Sequence, residues 1–359
     1  MIRFVVKRLL YGLLVLLGVV TLVFFLFNIL PGDPARMMLG QRADQESIDI
    51  INRDLGRDKP VGLQYLNYLN DLAPISLHNN DAPTSYFYLT PDKYAPYTTL
   101  LMVGSTSVVL KAPYLRRSYQ SQRKVSEIIA TAFPQTAVLA LVAMLFALVV
   151  GITLGVVSAL HKDTWIDRTV LVFSTLGMSL PSFFAAILIA WLFAYVLADW
   201  TGLNMFGNLY TVDDYGCGEY IDLKNLILPA LTLGIRPLAT LTQLTKNSML
   251  EALSQDYIRT ARAKGLSRRR VVVHHALRNA LNPVVTSASG WLASLLAGAV
   301  FVEYVFDWKG MGVVIVDGLE KYDFPVVMGT ILFICLLLVL INILTDILYG
   351  LLDPRVRVR

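Results

Sequence analysis

The chain has 359 residues, of which 55% are apolar and only 16% are charged, and its mean hydropathy is +0.58. This composition excludes a soluble globular domain and predicts an all-α polytopic membrane protein. The net charge of +5 is small, so its distribution is more informative than its sum. Cys217 lies in a polar loop and Cys335 in an apolar run, a pattern that predicts neither a disulfide framework nor a metal site.

The N-terminal segment, residues 1–30, combines a basic start with an apolar run. Arg3, Lys7 and Arg8 precede residues 9–30, and no small-residue cleavage site follows. A helix of this length rises about 33 Å, which is enough to cross the hydrocarbon core. We therefore expect an uncleaved signal anchor that forms the first transmembrane helix.

Residues 31–131 form the longest polar region, with acidic and basic residues nearly balanced. We expect short helices at residues 47–55 and 64–72. Residues 98–110 are rich in Val, Thr and Ser, which predicts a strand or a hairpin rather than a span, because about 11 apolar residues cannot cross a bilayer. Nearby aromatic side chains make this insert too apolar for a free linker: Tyr86, Phe87, Tyr88, Tyr94 and Tyr97.

Apolar runs in the core, residues 132–350, predict five further spans, which gives six in total. Pro181 interrupts the third span, and we expect a kink there that faces protein or a water path rather than lipid. The polar tail is residues 351–359. The five runs cover residues 133–160, 170–198, 226–250, 283–306 and 325–349.

Basic residues predict which side each loop occupies. With the N-terminus inside, the inner segments collect three basic residues before the first span, two at residues 161–168, eight from Lys246 to Arg278 and three in the tail. The two short outer loops hold three lysines against ten acids, counting Glu303 at the membrane edge. This distribution follows the positive-inside rule, from which the long first outer region is exempt. We expect both termini and residues 251–282 to be cytoplasmic.

Residues 251–282 are the only long polar and basic stretch between two strongly apolar ones. Ser254 as N-cap and Gly265 as a left-handed stop predict a helix at about residues 255–264. Leu253, Tyr257, Ile258 and Ala261 are expected on one side of it. A second helix is expected to begin after Ser267 and to close at Asn282-Pro283. From composition alone, this stretch is an ordinary basic cytoplasmic loop.

Intramembrane ionisable groups are candidate pathway residues because each is costly in lipid. Arg236 lies roughly 15 Å into the fourth span, and we expect Glu303, near the outer end of the fifth, to be its partner. Asp346 lies too far toward the inner end of the sixth span to pair with Arg236. Pro181, Arg236 and Glu303 are thus the pathway-lining candidates, with a structural ion pair as the alternative for the charged residues.

Several kinds of chemistry are absent from the sequence. No Gly-x-x-x-x-Gly-Lys-Ser/Thr motif occurs, so ATP would have to bind another subunit. His274 and His275 are adjacent and point about 100° apart on a helix, so we predict no metal site. We also predict no catalytic residue and no cofactor on this chain.

The basic stretch resembles a known pattern. Ala261-x-Ala263-Lys264-Gly265, followed after nine residues by His275-Ala276-Leu277-Arg278-Asn279, resembles the conserved cytoplasmic loop of ABC importer permeases in its dipeptide/oligopeptide form. The acidic residue and the proline of the general importer pattern are missing, as is typical of that subfamily. The resemblance extends to Leu30-Pro31-Gly32-Asp33-Pro34 and Leu352-Asp353-Pro354-Arg355, but not to residues 70–115.

The resemblance implies a type I ABC importer permease fold in the bacterial inner membrane, with a large periplasmic insert after the first helix. It implies a second homologous permease, two ATP-binding subunits that hold ATP and Mg²⁺, a periplasmic substrate-binding protein, a peptide substrate and membrane lipid, but no nucleic acid. It assigns coupling to the ATPase to Tyr257, Ile258, Arg259, Thr260, Ala261, Ala263, Lys264, Gly265, Leu266, His275, Leu277, Arg278 and Asn279.

Alternatives stay open at this point. The same importer class includes carriers of nickel or glutathione. An ion-coupled secondary transporter would need a relay of intramembrane acids, of which only Asp346 lies well within a span. An integral-membrane enzyme would need a catalytic cluster at an interface, and the sequence offers none. The insert either caps this chain's own outer loops or also docks the binding protein.

Overall fold

The fold is given by a computed structural model that describes residues 2–29, 48–49, 52, 57–80, 85, 87–212, 218–297 and 299–352. The predicted helix at residues 47–55, Tyr86, Cys217 and the tail from residue 353 lie wholly or largely outside these residues.

The helices are numbered in chain order within these ranges. The first seven are α1 (Ile2–Ile29), α2 (Val61–Leu72), α3 (Pro91–Tyr94), α4 (Val125–Leu160), α5 (Trp165–Ser179), α6 (Ser182–Trp191) and α7 (Ala198–Thr201). The next seven are α8 (Lys224–Ser254), α9 (Asp256–Ala263), α10 (Arg268–Arg270), α11 (Arg278–Ala297), α12 (Val300–Val305), α13 (Met311–Glu320) and α14 (Phe324–Leu352).

Strands and π-helical segments complete the secondary structure. The strands are β1 (Ile75–Asn79), β2 (Tyr97–Val103), β3 (Thr106–Lys111), β4 (Tyr210–Val212) and β5 (Glu219–Ile221). The π-helical segments are Leu192–Val196, directly after α6, and Val271–Leu277, between α10 and α11.

Within the described ranges, four helices are long and apolar enough to cross a membrane: Val6–Asn28, Val125–Leu160, Lys224–Ser254 and Phe324–Ile347. A fifth span results if α5 and the helical segment after Pro181 count as one. These two segments meet at 112°, so Pro181 marks a break rather than the expected kink. The apolar run at residues 283–306 is divided between α11 and α12.

The chain forms two compact units. The first comprises Met1–Gly12, Ala132–Val313 and Ile334–Arg359, and the second comprises Leu13–Thr131 and Val314–Phe333.

In the second unit, β1, β3 and β2 form an antiparallel sheet in that order, so the insert, like the β4–β5 pair of the first unit, adds β-structure to a mainly helical chain. This confirms the predicted hairpin, and α2 confirms the predicted helix at residues 64–72. The apolar core of this unit joins residues of α1, α2 and α14, among them Phe24, Tyr68 and Val327.

Asp71, at the end of α2, is a buried polar centre of the second unit. Its carboxylate accepts a hydrogen bond from the Tyr94 hydroxyl at 2.7 Å and pairs with the Lys93 ammonium at 3.1 Å. Lys111 donates to the Asp71 main-chain carbonyl at 2.6 Å. Burial is the main reason why the pKa of Lys111 falls to about 8, and it raises the pKa of Tyr94.

In the first unit, α8 is the central helix and packs closely against α4. A Cβ added at Gly155 of α4 would lie 2.5 Å from Cβ of Thr245 and 2.7 Å from the carbonyl oxygen of Thr242. Only glycine permits this approach, which is the usual way for membrane helices to gain close packing. An apolar core around Leu139, Leu241 and Trp308 fills the same unit.

Candidate functional site

The basic stretch at residues 251–282 begins where α8 ends and turns sharply into α9. Helix α8 continues through Ser254, whose hydroxyl donates to the Glu251 carbonyl at 2.7 Å, so the predicted capping role of Ser254 is wrong. Gln255 is extended, with φ −74° and ψ 152°, and occupies the cap position without a side-chain bond. The chain can therefore leave the axis of α8 within one residue.

Gly265 ends α9 as predicted. Its φ of +76° lies in the left-handed region, and its amide donates to the carbonyl of Arg262 at 2.9 Å. Leu266 follows with a bond from its amide to the Ala261 carbonyl at 3.3 Å. Because residues with a Cβ pay for this backbone conformation, glycine suits the turn.

One face of α9 is buried. Ile258 is fully buried and Ala261 is 5% exposed, within a cluster that includes Ala159 of α4 and Met249 of α8. The helix is therefore seated on the ends of two long helices. Tyr257, expected on the same side, is instead 40% exposed.

The other face of α9 is free of contacts with the rest of the chain as described. Arg259 and Asp256 form an exposed pair at 3.4 Å, which contributes little to stability. Arg259, Arg262 and Lys264 make this exposed surface strongly basic. The remaining exposed members of the predicted site on this helix and turn are Thr260, Ala263, Lys264 and Gly265.

Beyond the turn, the chain is helical from Arg268 to Ala297, through α10, the π-helical segment and α11. The expectation that the second helix closes at Asn282-Pro283 is wrong, because Pro283 lies inside α11. Within this segment, His275 and Leu277 are half-buried, while Arg278 and Asn279 are exposed. Ala276, between them, joins the same buried cluster as Ile258.

A buried ion pair lies close to this cluster and was missed from sequence. Lys246 of α8 lies 2.6 Å from Asp167 of α5, and Ser158 of α4 donates to the same carboxylate oxygen at 2.5 Å. These residues connect three helices near their α9 ends. In the sequence, the one indication of this pair is that all three residues lie near helix ends, next to loops.

Glu303 does not pair with Arg236, so that prediction is wrong. Its fully buried carboxylate accepts from the Thr136 hydroxyl at 2.7 Å and from the Gly312 amide at 2.6 Å. Thr136 also accepts from the Met311 amide at 2.8 Å. These bonds connect α12 and the start of α13 to α4. Glu303 therefore holds these helices together.

The other intramembrane candidates differ from Glu303. Arg236 is exposed on α8, and no carboxylate of the described residues forms an ion pair with it. Pro181 is exposed at the break between α5 and α6. Asp346 pairs with Arg8 of α1 at 3.1 Å, a pair that was not predicted from the sequence.

Within the described ranges, no group of three or more His, Cys, Asp and Glu is arranged to hold a metal ion.

Two family models match the chain. The model described as "Binding-protein-dependent transport system inner membrane component" matches residues 151–358. The model for the N-terminal part of such membrane components matches residues 1–82. Together they include α1, α8 and the whole basic stretch.

Curated relatives match over nearly the full length. The di/tripeptide transport system permease protein DppB of Pseudomonas aeruginosa is 36% identical, with 99% of each chain covered. The dipeptide transport system permease protein DppB of Escherichia coli K12 is 33% identical over 99% of each chain. The glutathione transport system permease protein GsiC of Pectobacterium atrosepticum is 34% identical, also over 99% of each chain.

A solved structure shares the fold. A chain of the MetNI methionine ABC transporter, described in inward-facing conformations, matches with a TM-score of 0.51 and 18% identity. The match covers 64% of this chain and 97% of that one.

Proposed function

The chain belongs to the family of inner-membrane components of binding-protein-dependent transport systems, and on that premise we propose that it is the permease subunit of an ATP-driven importer of dipeptides or oligopeptides. Its partners are a second homologous permease, two ATPase subunits that bind ATP and Mg²⁺, and a periplasmic binding protein. The chain itself provides the passage and carries out no catalysis.

The seating of α9 carries this proposal. Ile258 and Ala261 fix the helix to the ends of α4 and α8, while Tyr257, Arg259 and Lys264 stay exposed. In our proposal the exposed face sits in a groove of an ATPase subunit. When the two ATPase subunits close on ATP, α9 moves with them and, because it is packed on α4 and α8, it moves those helices too.

Orientation follows from the basic residues. We propose six spans in the bacterial inner membrane, with the third span supplied by the two helical segments on either side of Pro181 and the fifth supplied by α11. Both termini and α9 are cytoplasmic, and residues 31–131 are periplasmic.

In the proposed transport cycle, ATP binding opens the passage outward, and hydrolysis returns it to the inward-facing state. Pro181 and Arg236 are exposed candidates for lining the passage.

The cargo proposal rests on relatives that are named as peptide permeases. Glutathione is the second candidate, because GsiC is 34% identical over nearly the full length. Both cargoes carry a free carboxylate and an amide backbone. The choice between them depends on the binding protein that delivers the cargo.

We also propose that the insert docks the binding protein. Strand β2 is at the edge of its sheet, and Leu101 and Val103 are 58% and 66% exposed. An exposed apolar edge of this kind is typical of a surface that binds a partner protein.

The double variant Leu101→Thr and Val103→Thr tests this docking. It keeps β-propensity and should weaken stimulation of the ATPase by the loaded binding protein, without changing complex assembly. Val61→Thr, at an exposed site on α2, is the control; unchanged stimulation in the double variant would refute docking at β2.

The experiment that tests the function is uptake by the reconstituted complex. The chain, its second permease and its ATPase subunits are placed in liposomes, with the binding protein and a radiolabelled dipeptide on the opposite side from ATP. We expect dipeptide uptake that needs ATP and survives collapse of the proton gradient. Competition with unlabelled glutathione distinguishes the two cargoes. Uptake that persists without ATP and stops with the proton gradient would identify a secondary transporter instead.

A further inference from the structure

Helix α8 carries a polar stripe along one face. The stripe is defined by residues separated by four, three, four and four positions, a spacing that keeps them within about 80° of one another around a helix. Arg236, Asn247 and Glu251 are exposed, and Thr240 and Gln243 are half-buried. The stripe residues are Arg236, Thr240, Gln243, Asn247 and Glu251.

The opposite face of α8 packs into the protein. Leu241, Thr245 and Met249 are fully buried there, and Thr245 touches the glycine-lined surface of α4. The stripe is therefore the face that the described part of this chain leaves uncovered. From Arg236 to Glu251 it extends about 22 Å along the axis, which is most of the thickness of the hydrocarbon core.

Lipid cannot be the medium for this face. Charged and amide side chains are costly in hydrocarbon and are normally turned toward a water-filled cavity or a protein partner. Apolar residues occupy the corresponding exposed positions of α1, such as Leu10, Leu13 and Leu17, which are 58%, 64% and 48% exposed. The contrast indicates that α1 meets lipid whereas the stripe meets water or protein.

The positive charge of Arg236 is not paired with a carboxylate among the described residues of this unit. Of the acids on or beside the long helices, Glu303 bonds to Thr136, Asp346 pairs with Arg8, and Asp167 pairs with Lys246. Glu251 lies at the other end of the stripe, about 22 Å from Arg236 along the axis. None of the described residues forms an ion pair with Arg236. Guanidinium binds carboxylates with two parallel hydrogen bonds, so this position suits a carboxylate ligand.

We propose that the stripe of α8 is a wall of the substrate passage and that Arg236 binds the carboxylate of the passing peptide. This inference rests on the proposed function and adds to it the residue and the ligand group. Thr240, Gln243 and Asn247 then offer donors and acceptors to a peptide backbone on its way along the same face. A partner subunit covering the stripe is the competing arrangement.

The first measurement is the water accessibility of the stripe in the assembled complex. Single cysteines at Thr240, Gln243 and Asn247, in a chain whose Cys217 and Cys335 are replaced by Ser, are treated with charged methanethiosulfonate reagents. We expect all three to react in at least one of two states, nucleotide-free or trapped with ATP. A cysteine at Leu241, on the buried face, is the matched control and should not react. If the three stripe cysteines are unreactive in both states, a partner covers the stripe and the inference is overturned.

The second measurement tests the charge of Arg236. A cysteine at Thr240 lies one helical turn away, so Arg236 should favour an anionic reagent over a cationic one. Arg236→Gln should lower the ratio of the two rates about fivefold to tenfold at low salt. Arg168→Gln, at an exposed site on α5, is the matched control and should leave the ratio unchanged. An unchanged ratio in Arg236→Gln would overturn the role of Arg236, because it would show that a partner already neutralises or shields the charge of Arg236.

The third measurement is transport. Arg236→Gln should lower ATP-dependent dipeptide uptake about tenfold, the loss expected for one charged hydrogen-bonded contact, and Arg236→Lys should recover part of it. Normal uptake in Arg236→Gln would contradict the inference while leaving the proposed function intact. Failure of the unaltered complex to take up any dipeptide would instead refute the proposed function, and the labelling results would still stand.

Discussion

The ammonium of Lys246 lies 2.6 Å from a carboxylate oxygen of Asp167, and the two side chains are only 12% and 5% exposed. With Ser158 bonded to the same oxygen, the pair joins α4, α5 and α8. Lys246 is one turn before Met249, which belongs to the cluster that receives α9. A movement of α9 would therefore be transmitted to the site where α4, α5 and α8 are joined.

Asp167→Asn is expected to destabilise the protein by about 3 kcal/mol, because it leaves the buried charge of Lys246 unpaired. Lys246→Met should cost a similar amount for the converse reason. The double variant should cost clearly less than the sum, and thermal unfolding in detergent measures all three. Lys162→Met, at an exposed site nearby, is the control. Strict additivity of the two single variants would show that the pair contributes nothing as a pair.

Gly265→Val is expected to uncouple transport from ATP hydrolysis. The left-handed φ of +76° costs about 1–2 kcal/mol for a residue with a Cβ, and more for a β-branched one, so the turn after α9 should change shape. Uptake and substrate-stimulated ATPase activity should fall, with normal insertion in the membrane. Gly290→Val, where an added Cβ meets nothing within 4 Å, is the matched control. Normal coupling in Gly265→Val would refute the role of the turn.

Substitutions of two neighbouring residues of α9 should have different effects, one on the stability of the chain and the other on its affinity for the ATPase subunit. Ile258→Ala is expected to destabilise the chain by about 2–4 kcal/mol, since the side chain is fully buried. Tyr257→Ala should leave stability within about 0.5 kcal/mol and weaken the affinity for the ATPase subunit. Unfolding of the purified chain and titration with the ATPase subunit measure the two effects. If Tyr257→Ala leaves affinity unchanged, α9 does not present this face to the ATPase.

The stability of the protein should depend on pH through Lys111. Its pKa is about 8 in the folded protein against 10.5 ordinarily, so the unfolded chain binds more protons between these values. Stability contributed by this group therefore rises with pH from about 8 to about 10.5. Lys111→Met removes the effect, so the melting temperature of the unaltered protein should rise more, or fall less, with pH than that of the variant. Parallel curves would show that Lys111 keeps an ordinary pKa.

Local rules predicted several parts of the fold. The helix α9, the left-handed Gly265 and the β-hairpin of the insert depend on the conformational preferences of a few neighbouring residues, and all three were expected. Pro181 was expected to disturb a helix, but the 112° angle at the break depends on packing that composition does not encode.

Long-range partners could not be predicted in the same way. Glu303 was paired with Arg236 because both are charged, yet its hydrogen-bond partners are the Thr136 hydroxyl, 167 positions away, and a main-chain amide. A neutral donor of this kind has no signature in a single sequence. Pro283 was expected to end a helix, but it removes only one main-chain donor, a loss that a packed membrane helix can tolerate.

The proposed contact between α9 and an ATPase subunit is tested most directly by a cross-link between the two. A cysteine at Tyr257, in a chain without other cysteines, is treated in the assembled complex with a short thiol-to-amine cross-linker. We predict a product that joins this chain to an ATPase subunit, and none from a cysteine at Trp200, which is 91% exposed and lies on the proposed outer side. No product from Tyr257→Cys in a complex that still hydrolyses ATP, or a product from Trp200→Cys, would show that α9 does not contact the ATPase subunit as proposed.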